Sequence, residues 1–261
     1  ETMKYGDAMI VSGKGSLVWE HEVVDTLSIL NTMDDNIKKY ADIVLYCKKN
    51  IDFVFLNNKV KIKEVSTEKT RFNQNRYEDK EISYDGIDYK EISTQTIKNL
   101  LRPLAKTKEI NNYKYPYDPR NIAGITLNTK PIAVFFKEEI NNISYLGNKE
   151  KNGHVCSVYK KVGDNSDITI WLSEKIFYRP VYIETNYNNF KTKTICEFSY
   201  KVYKDNVIYP KQMSSISYAN DNKIISKYTL RVNEGFEINT DVNKNVFNIS
   251  FPKGVKVSNT D

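Results

Sequence analysis

Nucleophilic catalysis needs a thiol or hydroxyl held beside a base, and this chain is poor in bases: it has 2 His and 3 Cys. His154-Val155-Cys156 sets an imidazole and a thiol at i and i+2. Such residues share a face on a strand, so the pair meets the minimal spacing of a Cys–His couple. No Gly-rich nucleophile turn accompanies it, and a strand carrying ordinary side chains is the simpler reading. Gly13-Lys14-Gly15-Ser16 resembles the tail of a phosphate-binding loop. The upstream Gly is missing, and Leu17-Val18-Trp19 continues as strand rather than helix, so the segment predicts a hairpin turn. Glu138-Glu139 is a carboxylate pair on a helix face predicted to be solvated. Cys47, Cys156 and Cys196 lie far apart without a C-x-x-C, and no His, Cys or carboxylate set has metal-ligand spacing. Each Cys reads first as a small packed hydrophobe, with one disulfide and a leftover thiol as the alternative. Asn142-Ile143-Ser144 and Asn248-Ile249-Ser250 match glycosylation acceptors, a pattern that an Asn-rich chain meets by chance. The expectation is a protein that is not an enzyme, with no cofactor, no metal and no catalytic residue.

The charge supports a similar exclusion. With 39 Lys and Arg against 33 Asp and Glu the chain carries +6. That balance suits a polyanion only where the cations are gathered. Here Lys59, Lys61 and Lys63 alternate with Val60 and Ile62, as on the wet face of a strand, and Lys38-Lys39 lies near Asp34 and Asp35. Nucleic acid is not an expected partner. Hydrophobic residues make up 40% of the 261 positions, including 19 Tyr and 11 Phe, which is too apolar for a disordered chain. The longest apolar runs, such as Ile43 to Tyr46 and Ile132 to Phe136, are too short to span a bilayer as helices. Glu1 to Tyr5 shows no leader-like pattern, and a start at Glu rather than Met suits a chain whose leader has been removed.

The elements that must position these residues beat mostly with period two. Phe53 to Leu56 stops at Asn57-Asn58 and Val60-x-Ile62 resumes, a hairpin signal. Ile82-x-Tyr84, Asp85-Gly86 and Ile87-x-Tyr89 repeat it. Ile168-x-Ile170-x-Leu172, Thr194-x-Cys196-x-Phe198-x-Tyr200-x-Val202, Ile224 to Val232 and Phe247-x-Ile249-x-Phe251 alternate likewise. Two stretches differ. Ile97, Leu100, Leu101 and Leu104 fall at helical spacing after Thr94, although Pro103 should cut such a helix short. Pro131 to Ile140 predicts a helix with Ile132, Phe135, Phe136 and Ile140 on one face. Asn31 to Tyr40 reads as helical turn or loop. No repeat or linker is visible, so residues 1–261 read as a single domain. Its class is mainly β (α+β): a large curved antiparallel sheet, too wide to stay flat and so bound to curl or close, with one or two short helices over its concave face.

Four pieces, in this order, resemble the LolA/LolB-type lipoprotein-carrier superfamily, in its divergent branch of outer-membrane lipoprotein-sorting proteins. They are Tyr84-Asp85-Gly86, Asp118-Pro119-Arg120, Ile170-Trp171-Leu172 followed by Tyr178 to Glu184, and the ending from Ile238-Asn239 through Val246-Phe247 to Phe251 to Val257. The resemblance covers residues 50–258. It implies an unclosed antiparallel half-barrel whose concave side receives acyl chains, and a periplasmic or otherwise extracytoplasmic address. The expected function is to hold a lipid or other apolar ligand between sheet and helices. Ile132, Phe135 and Phe136 would form a lid, and Leu100 and Leu101 would contribute from the shorter helix. A lipoprotein or envelope protein would be the partner, with peripheral contact to a membrane. The rival reading is an envelope interaction or sensor module with a filled core and a protein partner.

Overall fold

The alternation becomes pairing on a single large sheet. The structure is a computed structural model, and it describes residues 11–31, 33–57, 59–72, 74–85, 88–97, 100–109, 126–127, 130–203, 207–251, 253 and 257–259. A first meander contains β1 (Ser12–Val23), β2 (Val44–Leu56), β3 (Lys59–Thr70), β4 (Asn75–Tyr84), β5 (Asp88–Ile97) and β6 (Leu100–Glu109). The short strands β7 (Thr126–Leu127) and β8 (Lys130–Pro131) pair apart from it. A second meander contains β9 (Ile143–Lys151), β10 (His154–Lys161), β11 (Ser166–Ser173), β12 (Arg179–Tyr187), β13 (Thr192–Val202), β14 (Ile208–Tyr218) and β15 (Ile224–Val232). Two brief strands follow, β16 (Glu237–Ile238) beside β1 and β17 (Val257–Asn259) parallel to β6. The meanders join where β1 pairs β15, Leu17 opposite Val232 through Val23 opposite Ser226. Among the described residues the sheet gathers 15 strands, and its order runs from β17 to β9 without closing. Register shifts interrupt five of its ladders. Such bulges bend and twist a sheet, which is how one this wide curls into an open half-barrel.

Among the described residues three α-helices accompany it: α1 (Thr26–Leu30), α2 (Asp35–Lys38) and α3 (Ile132–Glu139). The first two begin at Asp25 and Asp34, whose carboxylates accept the Ser28 and Asn36 amides. α3 falls where the apolar period of Pro131 to Ile140 predicts it.

Directly opposed residues in an antiparallel sheet point the same way, so the registers define an inner face. It carries a cluster of Leu17, Ile51, Phe53, Phe55, Val60, Ile62 and Ile82 with Leu230, Val232, Tyr209 and Phe236, which straddles the seam between the meanders. A second cluster on that face lies under α3. A third, smaller one (Cys156, Ile176, Val181, Ile208) lies on the opposite side of β10.

Three expectations are corrected. The helix read over Ile97 to Leu104 is instead β5 turning into β6, with Ile97 opposite Leu100. Pro103 disfavours the helix, and a strand near an edge tolerates it: among the described residues β17 pairs β6 only at Ala105 to Thr107. Gly13 and Gly15 are not a hairpin turn but lie inside β1, because aromatic groups press on the backbone there. A Cβ on Gly13 would sit 2.6 Å from the Phe55 ring, and one on Gly15 2.8 Å from Phe236. Phe247 to Phe251 forms no strand. Asn243 caps a 3-10 turn over Lys244–Phe247, and the Ser83 hydroxyl donates to the Phe247 carbonyl, bonds that replace a ladder while Phe247 and Ile249 stay buried. Asp118-Pro119-Arg120, Gly86, Pro252 and Tyr5 to Ile10 lie outside the described residues.

Candidate functional site

One row of opposed side chains crosses the inner face from charged to apolar: Arg76, Glu68, Cys47, His21, Tyr228, Ser215, Cys196, Ile183, Ile170, Tyr159, Tyr145. The alternation of each strand places its members, and the β1–β15 seam joins the two halves.

At the apolar end, α3 packs its Phe135 onto Ile168, Ile170, Leu172, Ile183 and Phe198, leaving that ring 2% exposed. Phe136 is half-buried and meets Tyr159 edge-on at 5.2 Å, and Tyr159 in turn meets Tyr145 at 5.4 Å. Lys161 holds the end of the helix through Glu139 (2.9 Å) and lies 5.5 Å from the centre of the Phe135 ring. Thus the structure brings Phe135 and Phe136 to the expected face. The side chains of Ile132, Leu100 and Leu101 lie outside the described residues. Their backbones differ in placement: Ile132 opens α3, whereas Leu100 and Leu101 open β6, at the other end of the sheet order.

In the middle, β13, β14 and β15 turn small side chains inward. Thr194, Cys196, Ser215, Ser217 and Ser226 are all half-buried. Thr194 Oγ1 and Ser217 Oγ lie 3.0 Å apart, and the Cys196 thiol donates to Ser215 Oγ at 3.4 Å, so these polar groups satisfy one another. Phe198 and Ile183 flank this strip on one side, and Trp19 against Tyr228 (5.5 Å, edge-on) on the other. The strip is thus a floor of short side chains between these two flanks. Sequence reasoning missed this strip. Its signal was the run of Ser at alternate positions 215 and 217, opposed to Cys196 and Thr194.

At the charged end, Lys49 bonds Glu64 at 2.7 Å, with Glu64 only 3% exposed, and Lys49 also lies 5.8 Å from the centre of the Trp19 ring. Arg76 bonds Asp42 at 2.9 Å and approaches Glu68 at 3.9 Å. Cys47, opposite His21, donates to Glu68 at 3.8 Å. Burial, reinforced by the Glu68 charge, pushes this thiol up to about 11, and burial lowers the His21 imidazole. The pair is therefore a thiol beside a neutral ring at neutral pH, the wrong protonation state for a nucleophile.

His154 and Cys156 stay on one face of β10, where Ser173 lies directly opposite Cys156 and the Cys156 thiol donates to the His154 carbonyl at 3.4 Å rather than to the imidazole. The imidazole Nδ1 lies 3.0 Å from Ser173 Oγ, while Cys156 is fully buried among Ile176, Val181 and Ile208, with its thiol raised by burial. All three cysteines are free. Among the described residues no group of three or more His, Cys, Asp and Glu could hold a metal. The opposite face carries a cleft of about 380 Å³ lined by Lys14, Lys61, Lys63 and Asp52 together with Phe53 and Val54.

No family model matches this chain, and no curated protein matches it. Among solved structures it is similar to a LolA superfamily protein from Nitrosomonas europaea, at 8% identity and a TM-score of 0.34, over 95% of this chain and 96% of the other. It is also similar to a β-barrel-like protein of a domain of unknown function from Brucella abortus, at 8% identity and a TM-score of 0.30, over 88% of this chain and all of the other. The likeness is one of architecture alone. Among the described residues no helix is long and apolar enough to cross a membrane.

Proposed function

We propose that this is a non-catalytic, extracytoplasmic binding protein that holds an acyl chain or similar apolar ligand on its inner face, beside α3. The observation that supports this reading most is the strip of short side chains at Thr194, Cys196, Ser215, Ser217 and Ser226 between aromatic walls. An acyl chain laid there leaves water, worth about 0.8 kcal/mol per buried CH₂. The charged end of the same row would then face the ligand's polar group. Burial raises the thiols of Cys47 and Cys156, which speaks against a thiolate nucleophile at either position. The test is titration of a fluorescent fatty acid into the wild type and into Ser215→Leu and Ser217→Leu. Bulk on the floor should weaken binding by about tenfold or more per substitution, as burial of comparable area is worth over 1.4 kcal/mol. Equal affinity in all three proteins would exclude this strip as the site.

A second reading rests on Phe135. At 2% exposure that ring completes a packed interior, as expected of an interaction module with a filled core and a protein partner. Mass spectrometry of an organic extract separates the two: co-purifying lipid supports the carrier, and a blank supports the module.

A further inference from the structure

The two ends of the curved sheet differ in what their connections expose. The end defined by the close of β1, β3, β10, β12 and β14 bears large apolar side chains on nearly every described connection. They are Leu27 and Tyr40 between β1 and β2, Phe72 between β3 and β4, Ile140 before β9, Val162 between β10 and β11, and Phe190 between β12 and β13. Their exposures run from 48% at Phe72 to 82% at Tyr40. At the opposite end, among the described residues, the β2–β3 and β9–β10 turns carry Asn57 and Asn152-Gly153, and the exposed apolar groups are Val11, Phe177-Tyr178 and Val202. Connections are ordinarily polar because they meet water. A rim of six apolar tips on five separate connections implies another medium.

The charges of this rim balance, since four ion pairs lie there and the further exposed Asp34, Lys39, Lys137, Glu138, Asp164 and Lys191 are three of each sign. Asp35 bonds Lys38 at 2.8 Å, Asp221 bonds Lys223 at 2.6 Å, Glu139 bonds Lys161 at 2.9 Å and Asp42 bonds Arg76 at 2.9 Å. Arg71 stacks its guanidinium 5.3 Å from the centre of the Phe72 ring while bonding the Lys38 carbonyl, so that cation is also engaged. Paired charges give little attraction to an anionic surface, yet they spare the rim the cost of carrying bare ions to an interface. Isolated apolar tips on separate connections need no complementary protein contour, and a fluid bilayer accepts them one by one.

We infer that this rim docks the protein on a lipid bilayer by shallow insertion of apolar connection tips, without selectivity for anionic lipid. Docking of this kind stands apart from what the inner face holds, although it would set one end of that face against the membrane. The experiment is co-sedimentation of the full chain with phosphatidylcholine vesicles, and with vesicles containing phosphatidylglycerol, at low and high salt. Wild type should partition onto both, with little effect of salt. Phe72→Ser and Phe190→Ser should each lower partition about tenfold, from the area withdrawn from water. Phe177→Ser at the far end should leave it unchanged. Since all three side chains are exposed, circular dichroism should report an unaltered fold. Failure of the wild type to sediment would overturn the inference, as would equal loss in Phe177→Ser, or binding to anionic vesicles alone that salt abolishes. Fatty-acid titration of the same variants separates this result from the carrier reading, because vesicle docking without probe binding retires the carrier and keeps the rim.

Discussion

Cys47 shows how much of a residue's chemistry is settled by neighbours that only the sheet supplies. His154 and Cys156 stand two apart in the sequence and attract notice as a couple, yet the imidazole meets Ser173 Oγ and the thiol meets the His154 carbonyl. Cys47 and His21 are far apart in the chain and become directly opposed through the β1–β2 register. No local spacing carries that signal, so the pair was not legible. With its pKa raised from the usual 9.0 to about 11, the folded protein keeps the Cys47 proton where the unfolded chain gives it up. The folded state then binds more protons than the unfolded one between pH 9 and 11, so stability is full below this window and falls as pH rises through it. Urea melts across this range should show a smaller loss for Cys47→Ala than for the wild type, and native alkylation of Cys47 should stay slow until the pH nears 11. Equal pH dependence in the two proteins would mean that Cys47 is not desolvated as the structure has it.

Elements were legible wherever one periodicity dominated. The strands from Phe53 to Ile62 and from Ile168 to Val232 follow their alternation, and α3 follows its 3.6-residue period. The failures share a cause: a local signal that tertiary contact overrides. Leu100, Leu101 and Leu104 sit at helical spacing, but pairing with β5 decides their state, and Gly13 and Gly15 read as a turn until Phe55 and Phe236 are seen against them. For α3 the sequence placed Phe135 and Phe136 on one face without ranking them. The structure ranks them, with Phe135 enclosed in the cluster and Phe136 at its margin beside Tyr159. Truncation of Phe135 to Ala should therefore cost about 3–5 kcal/mol in a denaturant melt. Phe136→Ala should cost less, about 1–2 kcal/mol for a ring already half in water, and should be the variant that weakens fatty-acid binding in a still-folded protein. Equal small losses at both positions would show that α3 sits loosely on the sheet, and equal large ones that no margin for a ligand exists beside it.

At the scale of the whole molecule, the decisive feature is the seam. Each meander is a chain of hairpins that local contacts could assemble, but β1 finds β15 only after some two hundred residues have been placed, a non-local closure that slows folding. No local pattern signals this pairing, since strands in a single chain advertise their faces and not their neighbours. The largest apolar cluster lies across the seam, with Leu17, Ile51 and Phe53 from one meander packed against Leu230 and Val232 from the other. Two meanders sharing one core should melt as one body. Trp19 belongs to the first meander and Trp171 to the second, and with 2 Trp in the chain each can be read alone. In Trp171→Phe the remaining fluorescence of Trp19 should share its urea midpoint with far-ultraviolet circular dichroism, and the same should hold for Trp171 in Trp19→Phe. Adding Leu230→Ala at the seam should then lower the midpoint seen by either tryptophan, by about 2–5 kcal/mol of stability. If the Trp19 signal dropped while that of Trp171 held, the meanders would be separate cooperative units, and the chain would be two domains stitched at β1 and β15 rather than one.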